Sequence, residues 1–227
     1  MAWDPIRGGY RFLIAAILWA LLVWLEIFLF HLVPFWLSLF IAAFSLSLLA
    51  CYARRELLFA RFPLRKSLLI GTLTAASLYI VFWFFERILV RFLPFTLYQL
   101  ESVYSLGTGL KPSFLGIPSL LAIAVGEELF WRGYVQEFLS RGVGPARGWW
   151  AATLLYSGVF IPSDNPLLFV SVLVAGLFWG YLYRVKRNLW LNIVSHAVWL
   201  SAVVYLFPFR QLEAGGYVSL LGTVLFG

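Results

Sequence analysis

The chain has 227 residues, of which 63% are hydrophobic and only 12% are charged. A soluble domain carries about 25% charged residues, so this composition excludes an ordinary soluble enzyme. The net charge is +7, but the basic residues cluster in short loops between apolar runs. That distribution is typical of membrane topology rather than of nucleic-acid binding. We therefore predict a membrane protein with no nucleic-acid partner.

Apolar runs that reach or approach about 20 residues, the length that crosses the hydrocarbon core of a bilayer, recur along the chain. Because backbone groups in lipid must hydrogen-bond within their own segment, each span is expected to be α-helical. The predicted spans are Phe12–Val33, Phe35–Tyr52, Ser67–Phe85, Ile117–Leu139, Trp149–Ile161, Pro166–Tyr183 and Leu189–Phe207. The apolar tail Tyr217–Phe226 is too short to span alone, and lies at the interface or completes an eighth, broken helix. The predicted fold is an all-α, polytopic transmembrane bundle of seven or eight helices.

The distribution of Lys and Arg predicts the orientation of these spans. A cytoplasmic N-terminus places twelve of the 17 Lys and Arg residues in the cytoplasm, four outside, and Arg132 within a span. An excess of positive charge on the cytoplasmic side is the usual arrangement. We therefore expect an integral membrane protein whose N-terminus is cytoplasmic.

Three charged residues stand in the middle of the fourth span: Glu127, Glu128 and Arg132. Each costs about 2.5–3.5 kcal/mol at the centre of a membrane helix, so their presence indicates a function. Glu128 and Arg132 are four residues apart and can form an ion pair on one helix face, whereas Glu127 points elsewhere. We predict that Arg132 holds Glu128 and that Glu127 acts on water as a general base. The alternative is that all three lock helices together or line a channel.

A second polar position is His196 in the seventh span. A histidine at this depth can donate a hydrogen bond or shuttle a proton, and the Glu pair in the same chain favours such a role over simple packing. The two histidines are 165 positions apart and make a poor zinc site. We therefore predict neither a metal nor an organic cofactor. A serine–histidine dyad of Ser157 and His196 is disfavoured, because it leaves the Glu pair without a role.

The Glu-Glu-x-x-x-Arg pattern and its surroundings, Gly-Glu-Glu-Leu-Phe-Trp-Arg-Gly-Tyr-Val-Gln, resemble the CAAX-protease and bacteriocin-processing (ABI) family of glutamic intramembrane proteases. The resemblance covers roughly residues 118–206. It implies one membrane domain over residues 1–227, in which 1–116 are variable N-terminal helices and an outer segment and 117–207 are the protease-like core. It also implies that Glu127 activates the attacking water and that His196 lines the oxyanion pocket.

Two positions depart from the family pattern. The second family motif is an aromatic residue followed four positions later by histidine; Tyr156 fits the aromatic residue, but Phe160 stands at the histidine position. The third motif begins correctly at His196, but Leu200 stands where a polar residue is expected. General acid–base help is worth about 10²–10⁴-fold in rate. Three interpretations are open: a divergent active enzyme that uses Glu127 and His196, a natural pseudoprotease, or a deliberately inactivated chain.

The resemblance predicts an intramembrane glutamic-type endopeptidase that cleaves near the C-terminal membrane anchor of a protein substrate. Its partners are then membrane lipids and a membrane-anchored protein or peptide. Because Phe160 lies near the outer end of its span, we expect an outward-opening pocket and an exported substrate of a bacterial inner membrane. Residues 161–165 and 176–183 are similar to the branch linked to bacterial C-terminal sorting tags, and prenyl-protein processing is the alternative within the class. A non-catalytic protein of immunity or chaperone type, which binds a membrane peptide or anchor helix, is the alternative from another class.

Overall fold

Helix is the only regular secondary structure in the computed structural model, which describes residues 8–59, 64–93, 95–106 and 116–209. The α-helices are α1 (Gly9–Leu25), α2 (Phe35–Ala53), α3 (Leu64–Phe92), α4 (Phe95–Leu106), α5 (Gly116–Glu127), α6 (Glu137–Val143), α7 (Pro145–Gly158), α8 (Pro166–Lys186) and α9 (Leu189–Ser201). A π-helix, Glu128–Gln136, joins α5 to α6 into one rod, residues 116–143, which we name the motif helix. With that rod counted once, the described residues form eight helices, which confirms the predicted all-α bundle.

Five helices are long and apolar enough to cross a membrane by length and composition. They are Gly9–Phe30, Phe35–Ala53, Arg65–Phe92, Pro166–Lys186 and Leu189–Leu206. Each corresponds to one of the predicted spans, and the third is longer than the sequence indicated. The chain is therefore an integral membrane protein.

The fourth and fifth predicted spans are not among these five. The motif helix is long enough to cross a bilayer, but it carries five charged residues: Glu127, Glu128, Arg132, Glu137 and Arg141. Every residue from 130 to 137 is buried, so other helices enclose this charged rod. Helix α7 has 14 residues, which is about 21 Å of helix and shorter than the roughly 30 Å hydrocarbon core.

The basic residues gather at one end of the bundle, which we name the basic end. There the ring of Tyr10 at the start of α1 meets that of Phe138 in α6 at 5.0 Å, and Arg187 after α8 pairs with Glu137 at 2.7 Å. The described members are Arg11, Arg54, Arg55, Arg65, Lys66, Arg141, Arg147, Arg184, Lys186 and Arg187. Arg87 and Arg91 lie towards the opposite end of α3. The assignment of the basic end to the cytoplasm stays a prediction, and Arg7, Arg61, Lys111, Arg210 and the tail Tyr217–Phe226 lie outside the described residues.

Polar caps and prolines set the helix starts that carry the functional residues. The side chain of Asn165 accepts a hydrogen bond from the Leu168 amide at 2.9 Å, and Asn188 accepts one from Leu191 at 3.2 Å. Such caps satisfy amides that lack an intrahelical partner. Helices α7 and α8 both begin with proline, whose fixed φ suits the first helical position. These short, capped connections fix the register of α8 and α9 beside the motif helix.

The motif helix approaches α2 very closely at Gly126. A Cβ atom at this position would lie 2.4 Å from the carbonyl oxygen of Ala43, a distance that no real Cβ contact reaches. Only glycine therefore permits this approach. The backbone next to Glu127 therefore lies directly against α2.

Helix α4 connects the start of α8 to the helical turn that follows α9, at the end opposite the basic residues. Asn165 Nδ2 donates to the Gln99 carbonyl at 2.9 Å, and the Leu167 amide donates to Gln99 Oε1 at 3.0 Å. The Tyr104 hydroxyl donates to the Val203 carbonyl at 3.0 Å. Residues 95–106, within the part of the chain that was expected to include an outer segment, are thus helical, and residues 107–115 lie outside the described ranges.

Candidate active site

The Glu128 side chain connects the motif helix to α9 through hydrogen bonds. Its Oε1 accepts a hydrogen bond from Arg132 Nη1 at 3.0 Å and lies 2.9 Å from His196 Nδ1, while its Oε2 accepts one from Asn192 Nδ2 at 3.2 Å. The Glu128 side chain is fully buried and that of Arg132 is 3% exposed. A charge buried this deeply must be paired and hydrogen-bonded. The predicted contact between Arg132 and Glu128 is therefore present, and it is extended to α9 through Asn192 and His196.

Glu127 is placed differently from its neighbour. Its Oε2 accepts a hydrogen bond from the Tyr156 hydroxyl at 2.8 Å and lies 4.0 Å from His196 Nε2. Within the described ranges, no Lys or Arg forms an ion pair with Glu127, although its side chain is only 8% exposed. The two adjacent carboxylates thus have different surroundings, one paired with arginine and one held by a neutral hydroxyl.

His196 stands between the two carboxylates. One ring nitrogen faces Glu128 and the other faces Glu127. The imidazole stacks on the indole of Trp179 with ring centroids 3.9 Å apart and planes 25° apart. Trp179 Nε1 in turn donates to Ser195 Oγ at 3.1 Å. Stacking and hydrogen bonding therefore fix the orientation of the His196 ring.

Phe160 and Leu200 are apolar parts of the same site. The Phe160 ring lies 5.3 Å from Trp24, 5.8 Å from Phe28 and 5.7 Å from Tyr156, measured between centroids. Leu200 packs against a cluster formed by Ala43, Leu120, Ile123 and Tyr205. Both positions line the cavity that Glu127 and His196 also line. They supply surface to it and no hydrogen-bonding group.

A cavity of about 720 Å³ lies in front of Glu127 and His196. This volume falls in the usual range of ligand pockets. Its walls are mainly apolar and come from α2–α5 and α7–α9, with Phe28 from the turn that follows α1. They extend to Leu100 and Tyr104 of α4 and Leu167 of α8, at the end opposite the basic residues. The polar side chains on these walls belong to Glu86, Thr96, Tyr104, Glu127, Tyr156, Ser171, His196 and Tyr205.

The sequence interpretation gave no role to three side chains that organise this site. Asn192 Nδ2 donates to Glu128 and also to the Trp179 carbonyl at 2.7 Å. Its spacing of four residues from His196 could have identified it, since such residues share a helix face. The Tyr156 hydroxyl and the Trp179 ring reach the site from other helices. Tyr156 was noted only as the aromatic residue of the second family motif, and no local pattern marks Trp179. In the described part of the chain, no group of three or more His, Cys, Asp or Glu is arranged to hold a metal ion.

A family model described as type II CAAX prenyl endopeptidase Rce1-like matches residues 109–202. This stretch contains Glu127, Glu128, Arg132, Tyr156 and His196. Comparison with curated proteins gave no match, and comparison with solved structures gave none either.

Proposed function

We propose that the chain is an intramembrane endopeptidase with Glu127 as its general base, and the match of residues 109–202 to the Rce1-like family of type II CAAX prenyl endopeptidases supports this proposal. The position of Glu127 carries this proposal. Its carboxylate is buried, has no arginine or lysine partner among the described residues, and lines the 720 Å³ cavity. A desolvated carboxylate that faces a substrate-sized cavity is suited to take a proton from water.

The reaction is hydrolysis of one peptide bond. Glu127 removes a proton from water as the water oxygen attacks the carbonyl carbon of the substrate. The tetrahedral intermediate collapses when its carbon–nitrogen bond breaks, and Glu127 passes the proton to the departing amine nitrogen. Water and the peptide supply every atom of the two products, so the step needs no further reactant.

Glu128 and Arg132 form the positioning pair of this mechanism. Because both Glu128 oxygens are engaged by Arg132, Asn192 and His196, this carboxylate is not available to take a proton from water. Its contacts hold the motif helix against α9. That arrangement keeps Glu127 and His196 on the same side of the cavity.

The proposed enzyme is active but slower than one with the full family pattern. Phe160 and Leu200 cannot donate a hydrogen bond to a developing oxyanion, and loss of one such donor costs about 10²–10³-fold in rate. Tyr156 and His196 still place a hydroxyl and an imidazole within 4.0 Å of Glu127. The reacting water therefore keeps polar neighbours.

The substrate that fits is a protein with a C-terminal membrane anchor. The apolar cavity walls suit an apolar segment, and their extension to α4 places the opening away from the basic end. With the basic end in the cytoplasm, the pocket opens outward and admits an exported protein of a bacterial inner membrane. A prenylated C-terminal tail, the substrate class in the family description, is the second candidate within this function.

A non-catalytic binder is the second candidate function. The apolar Phe160 and Leu200 favour it, because they make the cavity wall better suited to holding a membrane peptide than to stabilising charge. This candidate shares the cavity with the protease proposal. It differs in predicting no cleavage at all.

The test uses the full chain reconstituted in liposomes with two probes. One probe is a reporter protein ending in a single apolar anchor of about 20 residues, and the other is a farnesylated peptide with a CAAX-type terminus. We expect the parent chain to cut the anchored reporter and Glu127→Gln to abolish cutting without loss of thermal stability, since it removes a buried carboxylate. Glu137→Gln, in the same helix but away from the cavity, is the control.

Each other outcome has a distinct meaning. Cutting of the farnesylated peptide alone identifies the prenylated tail as the substrate. Unchanged cutting by Glu127→Gln contradicts the glutamic mechanism. A parent chain that binds the reporter without cutting it, and cuts only after Phe160→His and Leu200→Asn are combined, identifies the non-catalytic binder.

A further inference from the structure

The partner of His196 Nδ1 determines which nitrogen of this imidazole carries a proton. Glu128 is ion-paired with Arg132 and accepts a hydrogen bond from Asn192, so it is an ionised carboxylate. An ionised carboxylate can only accept hydrogen bonds. Nδ1, which lies 2.9 Å from Glu128 Oε1, must therefore be the donor. In the neutral ring, Nε2 is then left with a lone pair and can only accept.

Nε2 faces the carboxylate that the proposed reaction uses. It lies 4.0 Å from Glu127 Oε2, which is too far for a direct hydrogen bond. At this separation, one water molecule can donate a hydrogen bond of normal length to Glu127 Oε2 and another to His196 Nε2. Among the described residues, the charged groups nearest the imidazole are Glu127 and Glu128, and α8 presents the Trp179 ring. Arg132 and Tyr156 contact these two carboxylates, and Glu86 of α3, the helix packed against α9, lines the same cavity.

We propose that His196, in the tautomer set by Glu128, is a proton acceptor for the attacking water rather than a donor to the oxyanion. This inference rests on the proposed protease function. The water donates one hydrogen bond to Glu127 and the other to Nε2. Glu127 takes the first proton and delivers it to the departing amine. Nε2 takes the second proton as the intermediate collapses to the product carboxylate, and later releases it to solvent.

If His196 accepts a proton from the water, the chain can hydrolyse a peptide bond although Phe160 stands at the expected histidine position. A base beside Glu127 is supplied from α9, so the end of α7 need not supply one. The two roles of His196 also predict opposite behaviour with pH. An acceptor must be neutral, so activity is lost when the imidazole is protonated at low pH. A donor through Nε2, with Nδ1 held by Glu128, must be the imidazolium, so activity is lost as pH rises.

The first experiment measures the protonation state directly. His31 is the other histidine of the chain and lies exposed between α1 and α2, so His31→Gln leaves His196 as the single source of imidazole signals. We expect nitrogen-15 chemical shifts at neutral pH that report a protonated Nδ1 and an unprotonated Nε2. The reverse assignment, or an imidazolium at the pH of maximal activity, overturns the proposal.

The second experiment measures cleavage of the anchored reporter against pH. We expect His196→Gln to lower kcat by about 10²–10⁴-fold with little change in KM. The acid side of the profile is then expected to lose the step that belongs to the imidazole and to keep only the step that belongs to Glu127. His31→Gln is the matched control and keeps both the rate and the profile. Activity that falls as pH rises through the imidazole transition overturns the proposal.

The failures of the two proposals are distinguishable. If Glu127→Gln cuts as fast as the parent chain, the protease mechanism itself is wrong. If Glu127→Gln is inactive while His196→Gln keeps the wild-type kcat and pH profile, only the role of His196 is wrong.

Discussion

The hydroxyl of Tyr156 donates a 2.8 Å hydrogen bond to Oε2 of Glu127, a residue 29 positions earlier in the chain. The ring beneath this hydroxyl is also fixed, since the Arg132 guanidinium carbon lies 4.6 Å from its centroid. Tyr156 therefore holds the carboxylate that we propose as the base. It does so from α7, one helical turn before the apolar Phe160.

Tyr156→Phe removes only the hydroxyl from this contact. A hydrogen bond to a charged group is worth about 1.5–3 kcal/mol, so we expect kcat for the anchored reporter to fall about 10- to 100-fold. KM is expected to change little, and the free energy of unfolding is expected to fall by no more than the same amount, about 1.5–3 kcal/mol. The matched control is Tyr205→Phe, because Tyr205 lines the same cavity and its buried hydroxyl has no hydrogen-bond partner among the described residues. Equal rates for the two variants would argue against a positioning role for Tyr156.

Gly126→Ala tests the close approach of the motif helix to α2. The new Cβ would overlap the backbone oxygen of Ala43, and overpacking of this kind costs about 1–3 kcal/mol. A shift of about 1 Å in the adjacent Glu127 can lower activity by about 10²-fold. Gly158→Ala is the control, since its Cβ would meet nothing within 4 Å. Thermal unfolding and reporter cleavage measure both effects, and a fully stable, active Gly126→Ala would contradict the tight contact.

Arg132→Met tests the buried ion pair. It leaves the Glu128 charge without its guanidinium in a fully buried position, and breaking a buried pair in this way costs about 3–5 kcal/mol. Combining it with Glu128→Gln removes the orphaned charge, so the double variant is expected to recover much of that stability while remaining inactive. The free energies of unfolding of the parent chain, the two single variants and the double variant form a double-mutant cycle that measures the interaction between the two side chains. Additive losses would mean that the two side chains do not interact.

Glu137→Gln tests a second ionic cluster, at the basic end. Glu137 pairs with Arg141 at 2.9 Å and with Arg187 at 2.7 Å, and its side chain is 5% exposed. Neutralising it is expected to destabilise the fold by about 1–3 kcal/mol, while activity per folded molecule stays unchanged. Glu56→Gln is the comparison, because Glu56 pairs with Arg54 but is half exposed. A loss of under about 1 kcal/mol is expected there, and a larger loss than for Glu137→Gln would reverse the interpretation.

Contacts within one helix were predictable from the sequence. Glu128 and Arg132 are four residues apart, and helical periodicity alone places them on one face. The structure has this contact at 3.0 Å. Contacts between helices were not predictable in this way, because Asn192 and Glu128 are 64 positions apart and no local spacing relates them.

Two predicted spans illustrate the limit of hydropathy. The crossings that the sequence indicated at Ile117–Leu139 and Trp149–Ile161 stay predictions, because the motif helix carries three charged residues at its middle and α7 has only 14 residues, and neither is among the five candidate spans. Hydropathy measures how apolar a segment is and says nothing about which neighbours enclose it. The motif helix tolerates its charges because other helices bury it and supply partners.

By itself, the sequence determined an all-helical membrane protein with an acidic–basic motif in an apolar helix, because hydropathy and spacing depend on neighbouring residues. It also identified Glu127, Glu128, Arg132 and His196 as candidates. Only the tertiary structure decided that His196 lies between the two carboxylates and that the Tyr156 hydroxyl, from α7, reaches Glu127. The physical reason is that buried polar groups must find partners, and helix packing decides which distant side chains are near enough to provide them.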